Sequence, residues 1–222
     1  MIYVTGNLHG DHAGFKALLQ TIRFKDGDLL YVLGDSVDIG EGSMDLIMDM
    51  SMRTNVYPLA GEHDFKALRM LSGFEKMLKE GTAPSAEFSA EMTAWAADGG
   101  MPTLTGFRAL DAEMREGVID YLSDCMLCDE VEVRGRTFVL AHAGLGGYTE
   151  DKCPEDYLPE EVFETALPDA DFFREKTLIV SHTPTKSGRI ERLDGVIYLD
   201  CGAGRGGRIG CLCLDTDEEF YV

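Results

Sequence analysis

Basic residues are scarce in this chain: 20 lysines and arginines stand against 40 aspartates and glutamates, a formal net charge of -20 over 222 residues. With no basic surplus to release counterions, a nucleic-acid partner held through its phosphate backbone is excluded. A small anionic substrate is still compatible with this charge if metal ions supply a local positive field. No apolar run approaches the roughly 20 residues that span a bilayer, so no membrane partner is expected. Met1-Ile2-Tyr3-Val4 opens directly as a strand, without a basic n-region or apolar h-region. A cytoplasmic location is expected, and the six cysteines are read as reduced thiols. Cys125 and Cys128 have the spacing of half a zinc site, but no second pair accompanies them, so helix-end packing is the expectation. Cys211 and Cys213 alternate onto one face of a strand, where small core residues belong. Internal repeats and low-complexity linkers are also absent, and the length and composition suit one domain over 1–222.

The most informative stretch is Asp28 to Gly40. Leu29 to Leu33 is a continuous apolar run, the signature of a strand covered on both faces. It ends at Gly34 and delivers Asp35, with Asp38 three residues later, where open α/β sheets place ligands. The same pattern recurs. Ile2 to Thr5 leads to His9, Val56 to Ala60 to His63, Thr137 to Ala141 to His142, and Thr177 to Val180 to His182. Pro58 favours a sheet edge for the third of these strands. Glu130 to Val133 forms a hairpin with the strand before His142. Val196 to Leu199 and Ile209 to Leu214 close the sheet around a glycine-rich loop, Cys201 to Gly207. Asp11 caps a first helix, in whose first turn His12 is a solvated residue, and Ser43 caps a methionine-rich helix to about Met52. Residues 65–100 read as a helical insertion, interrupted by Gly73, Gly81 and Pro84 and carrying the only tryptophan, Trp95, with no catalytic signature. A further helix begins at Thr105 or Asp111 and runs through Leu122.

Four histidines and a carboxylate at strand ends form the ligand set of zinc, manganese or iron. Strands of one sheet bring those ends into one neighbourhood. A dinuclear site follows, with Asp35 bridging ions about 3.5 to 4 Å apart.

The blocks Gly6-Asn7-Leu8-His9-Gly10, Gly34 to Gly40, Gly61-Glu62-His63-Asp64, His142-Ala143-Gly144 and Ser181-His182-Thr183 resemble, in order, the motifs of PPP-type, calcineurin-like metallophosphoesterases. They look most like those of the compact bacterial and bacteriophage-lambda serine/threonine phosphatases. The resemblance implies an α/β fold, a β-sandwich of mixed sheets flanked by helices. It implies two divalent ions, a hydroxide attacking phosphorus in line, and a phosphorylated protein or small phosphoester as substrate. Position by position, Asn7, His9 and Asp35 fall at the first metal, and Asp35, Glu62, His142 and His182 at the second. His63 falls at the acid that protonates the leaving alcohol, oriented by Asp38.

Three departures from the motifs shape the expectations. Asn7 stands where the family has aspartate, and Glu62 where it has asparagine. The negative charge has moved from the first position to the second, so the first is expected to hold metal more weakly. Ile39 replaces an arginine that clamps the phosphate. Arg205 in the closing glycine loop is the expected substitute, and Arg174 the match for the family's second phosphate-binding arginine. The leading expectation is a metal-dependent phosphoester hydrolase. The alternatives are a nucleotide hydrolase similar to the symmetrical diadenosine tetraphosphatases, and a degenerate phosphatase serving as a binding module.

Overall fold

A computed structural model describes residues 1–222. In chain order the elements are β1 Ile2–Thr5, α1 His12–Thr21, β2 Leu29–Leu33, α2 Ser43–Ser51, β3 Val56–Leu59, α3 Glu62–Glu80, α4 Ala86–Trp95, α5 Met101–Ala109 and α6 Ala112–Ser123. The second half supplies β4 Cys128–Val133, β5 Arg136–Ala141, α7 Pro159–Val162, α8 Phe172–Glu175, β6 Lys176–Val180, β7 Glu191–Leu193, β8 Val196–Tyr198, β9 Gly210–Cys213 and β10 Glu219–Tyr221. They form two five-stranded mixed sheets, ordered β10-β9-β1-β2-β3 and β4-β5-β6-β8-β7. Within each sheet three strands run parallel, β1-β2-β3 and β5-β6-β8.

Strand alternation sorts each run onto two faces. Val4, Tyr31 and Leu33 point inward and meet Phe138, Leu140 and Ile179 of the facing sheet. Tyr3, Leu30 and Val32 point outward under Phe15, Leu18 and Met50 of α1 and α2. Val139, Leu178 and Val180 are covered from the other side by Tyr157, Val162 and Phe172. The result is the expected sandwich, helices on both outer faces, and it explains why the runs are apolar throughout. Cys211 and Cys213 do share the α1-facing core. No helix is long and apolar enough to cross a membrane.

Several local expectations need revision. The helical region starts at Glu62 rather than 65, because Asp64 Oδ2 reaches back to accept the Gly61 N–H (3.0 Å), the half of a capping box that a glycine N-cap allows. The further helix expected through Leu122 is present as α6, capped by Asp111, whose side chain accepts from Met114 N–H (2.9 Å), and a separate helix, α5, precedes it. Gly73 does not interrupt α3, since the Phe88 ring packs where a Cβ would stand. Ser43 is the first residue of α2, not its cap, and its hydroxyl accepts from Thr103 (3.1 Å). His12 is not merely solvated: its Nε2 meets Asp49 at 2.9 Å. The three-residue strands β7 and β10, both at sheet edges, have no readable alternation. β3 does lie at an edge, as Pro58 requires.

Candidate metal centre

The ligands come from two sheets rather than the expected one: the loops after β1, β2 and β3 of the first sheet meet those after β5 and β6 of the second. They are then stitched together by backbone. Asn7 N–H donates to Gly34 O (3.0 Å), His9 N–H to Asp35 O (2.8 Å) and Ser181 N–H to His142 O (2.8 Å). The turns are tight: six of the ten non-glycine residues with left-handed backbone are Asn7, His9, Asp35, Asp38, Ile39 and His182. Such conformations persist only where surroundings over-determine them, and they gather at functional sites. Asp64, which sequence reasoning left without a role, fastens the β2 loop to α3. Its Oδ1 accepts from Ser36 and Val37 N–H (2.9 and 3.2 Å).

Asp35 stands at the centre. Its Oδ1 accepts the N–H of His63 (3.1 Å) at the N-terminus of α3. Oδ2 is left facing His142 Nε2 at 3.5 Å on one side and His9 Nε2 at 3.9 Å on the other. Two ligand groups therefore share it: Asp35, Glu62, His142 and His182, and Asp35, His9 and His63.

The first group fits a cation by the chemistry of its donors. His142 directs Nδ1 at Leu33 O (2.8 Å), which fixes the tautomer with hydrogen on that atom. Its Nε2 lone pair is aimed at Glu62 Oε2, 2.6 Å away, and at Asp35. His182 Nδ1 lies 2.9 Å from Glu62 Oε1 and 3.1 Å from His142 Nε2. Acceptors facing acceptors need a positive charge between them, a proton or a metal. Without metal the proton takes that place. Burial opposes it, but Asp35 and Glu62 push the His142 imidazole up to about 9. Burial likewise works against ionised Glu62, yet the two histidines hold its carboxyl well below the usual range.

His9 is held by Nδ1 against Val37 O (3.2 Å), and burial drives it toward the neutral form in spite of Asp35. A neutral imidazole with Nε2 free suits metal binding. Asn7 is less suited. Its Oδ1 accepts from His182 N–H and its Nδ2 donates to Asp200 Oδ2, both at 3.0 Å.

His63 Nδ1 lies 2.9 Å from Asp38 Oδ2, as the resemblance implies. Burial lowers its basicity, but that bond and the charges of Asp35 and Glu62 outweigh it and raise His63 to about 9. The helical region, read as carrying no catalytic signature, reaches this pair through Trp95, whose indole Nε1–H donates to the same Asp38 oxygen at 2.8 Å.

Asn7, His9, Asp35, Glu62, His63 and His182 open onto one cavity of about 260 Å³, with His142 buried behind them; Arg205 is its only lysine or arginine and Ile39 its only large aliphatic side chain. Ile39 is 38% exposed there. Arg174 is not brought to the cavity. It precedes β6, whereas His182 follows it, so it sits at the opposite end of that strand, paired with Asp171 (2.8 Å) on a separate cleft. Asp200, 3% exposed and missed in the sequence, lines the cavity beside Asn7.

Comparison with known proteins agrees with this fold. A symmetrical bis(5'-nucleosyl)-tetraphosphatase of Salmonella paratyphi B is 34% identical over 76 residues, 33% of this chain and 27% of that protein. The corresponding protein of Wigglesworthia glossinidia brevipalpis is 25% identical over 80 residues, 35% and 29% of the two chains. The chain thus aligns with less than a third of the length of these relatives. Among solved structures, a candidate diadenosine tetraphosphatase superposes with TM-score 0.66 at 20% identity, over 100% of this chain and 92% of that one. A Saccharomyces cerevisiae protein serine/threonine phosphatase gives 0.55 at 12% identity, over 100% and 79%. Residues 1–192 match the calcineurin-like phosphoesterase family, and the chain belongs to that family.

Proposed function

We propose that this chain hydrolyses phosphoesters, taking a single phosphoryl group into the cavity between Asp35, His63 and Arg205. The observation that carries this reading is the pairing of a cation-demanding cluster, Asp35-Glu62-His142-His182, with an imidazole at its edge, His63, whose Nδ1 is held 2.9 Å from buried Asp38 Oδ2. Divalent ions bound by these groups and by His9 would activate water and neutralise phosphoryl oxygens. The side chains supply the rest. His63 donates its Nε2 proton to the departing oxygen while Asp38 holds Nδ1. Arg205 offers the forked guanidinium that Ile39 cannot.

Phosphomonoesters, including phosphorylated protein side chains, suit a cavity of about 260 Å³ with one arginine. The aligned tetraphosphatases favour a second reading, a dinucleoside polyphosphate substrate. Side-by-side steady-state kinetics on p-nitrophenyl phosphate, a phosphoserine peptide and diadenosine tetraphosphate distinguish the two. The monoester reading expects the first two to have the higher kcat/KM; a tetraphosphate preference reverses it. Binding of these compounds without turnover of any would instead make the chain a binding module.

A further inference from the structure

Asp200 is the one cavity carboxylate that neither the sequence motifs nor the proposed reaction uses. It is buried, and both its oxygens are engaged by uncharged donors: Oδ1 by the N–H of Gly202 (2.7 Å) and Oδ2 by the Nδ2 of Asn7 (3.0 Å). A carboxylate withdrawn from water and hydrogen-bonded only by neutral groups is costly unless a cation stands nearby; Arg205 acts on it through space but makes no hydrogen bond or ion pair with it.

Asn7 transmits that charge. Its amide is fixed at both ends, Nδ2 on Asp200 and Oδ1 on the N–H of His182. A carbonyl oxygen has two lone pairs, and His182 uses one. Asn7 itself lines the cavity, next to His9 and Asp35. An anion hydrogen-bonded to the nitrogen end of an amide draws electron density onto its oxygen, as carboxylates behind ligand imidazoles do. An aspartate at position 7 would put two carboxylates about 3 Å apart, each raising the cost of ionising the other. Asparagine turns that repulsion into a hydrogen bond.

We propose that Asp200 is the anionic half of the first metal position: the charge absent from position 7 is delivered from Asp200 through the Asn7 amide. Asp200 is thus a positioning residue behind a neutral ligand. The proposal rests on the dinuclear reading of the cavity, and its test is a binding measurement.

The protein, stripped of metal, is titrated calorimetrically with Mn²⁺. The unaltered chain is expected to bind one ion tightly and a second more weakly. Asp200→Asn leaves the tight phase in place and weakens the second about 10- to 100-fold, the usual effect of losing such an outer partner. The double variant Asn7→Asp/Asp200→Asn reverses donor and acceptor of the same hydrogen bond and moves the charge to position 7; it recovers the second phase. An Asp200→Asn protein with an unchanged second phase overturns the proposal. So does a double variant that fails to recover, since Asp200 would then only scaffold the closing loop. Should the single variant fold poorly, the double variant decides alone, with circular dichroism melts of the metal-free proteins reporting folding. A chain that binds two ions in this way yet hydrolyses nothing would end the functional proposal and leave this one standing.

Discussion

Trp95 and Asp38 are 57 residues apart in sequence and joined by a 2.8 Å hydrogen bond from the indole N–H to the Oδ2 that also meets His63. Both side chains are fully buried. An oxygen with two donors at fixed angles cannot swing away from the imidazole, so the helical region that seemed only to decorate the sheets sets the position of the proposed acid.

Trp95→Phe keeps most of the ring volume and removes that donor. A hydrogen bond to a buried carboxylate contributes about 1.5 to 3 kcal/mol, and a misplacement of the acid costing about 1.4 kcal/mol slows turnover roughly tenfold. We expect a lower melting temperature and a fall in kcat with KM nearly unchanged, read from one melt and one saturation curve.

His63 should matter in proportion to how badly the leaving group needs a proton. His63→Asn is expected to slow hydrolysis of an alkyl phosphate by about 10²- to 10⁴-fold, and that of p-nitrophenyl phosphate much less, because nitrophenolate departs without protonation. Equal losses on the two substrates would remove His63 from the role of acid.

The pH dependence of stability has a defined sign. His63 in the metal-free fold is raised to about 9, against roughly 6.5 for an unfolded histidine. Its stabilising contribution is fully present below about 6.5 and disappears as pH rises through 9. His142, raised likewise to about 9, acts in the same direction. Thermal melts of chelator-treated protein should therefore show a falling melting temperature between those values. Asp38→Asn should flatten the fall. Saturating Mn²⁺, which replaces protons among these ligands, should raise the melting temperature most at the alkaline end.

Arg205→Ala tests the substitute for the arginine that Ile39 displaces. Loss of one charge-assisted contact, about 1.5 to 3 kcal/mol, predicts a rise in KM for a phosphomonoester of roughly 10- to 100-fold, with Mn²⁺ binding unaltered. An unchanged KM would reduce Arg205 to a solvated loop charge.

Much of the site was legible because its residues obey one rule, a polar group just past a buried strand. Asp35, His63, His142 and His182 were found that way, and the structure gathers them. Asp200 obeys the same rule after β8, but a search guided by histidines passes over a lone carboxylate. Trp95 had no local signal at all: its role depends on a tertiary contact across a helical region whose internal spacing says nothing of where it docks. Arg174 was misplaced because nearness in sequence to His182 ignores the length of the strand between them. Helix α3 extended through Gly73 because packing against Phe88 outweighs glycine's weak helix propensity.

The central claim is metal-dependent phosphoester hydrolysis through Asp35. Its most direct measurement is the rate of p-nitrophenyl phosphate hydrolysis by metal-free protein as Mn²⁺ is added, with Asp35→Asn assayed in parallel. The expected result is activity that appears with Mn²⁺, saturates, and is lost on chelation, while Asp35→Asn stays at the background rate. Activity in the metal-free protein, or equal rates in the two proteins at saturating Mn²⁺, would contradict the account.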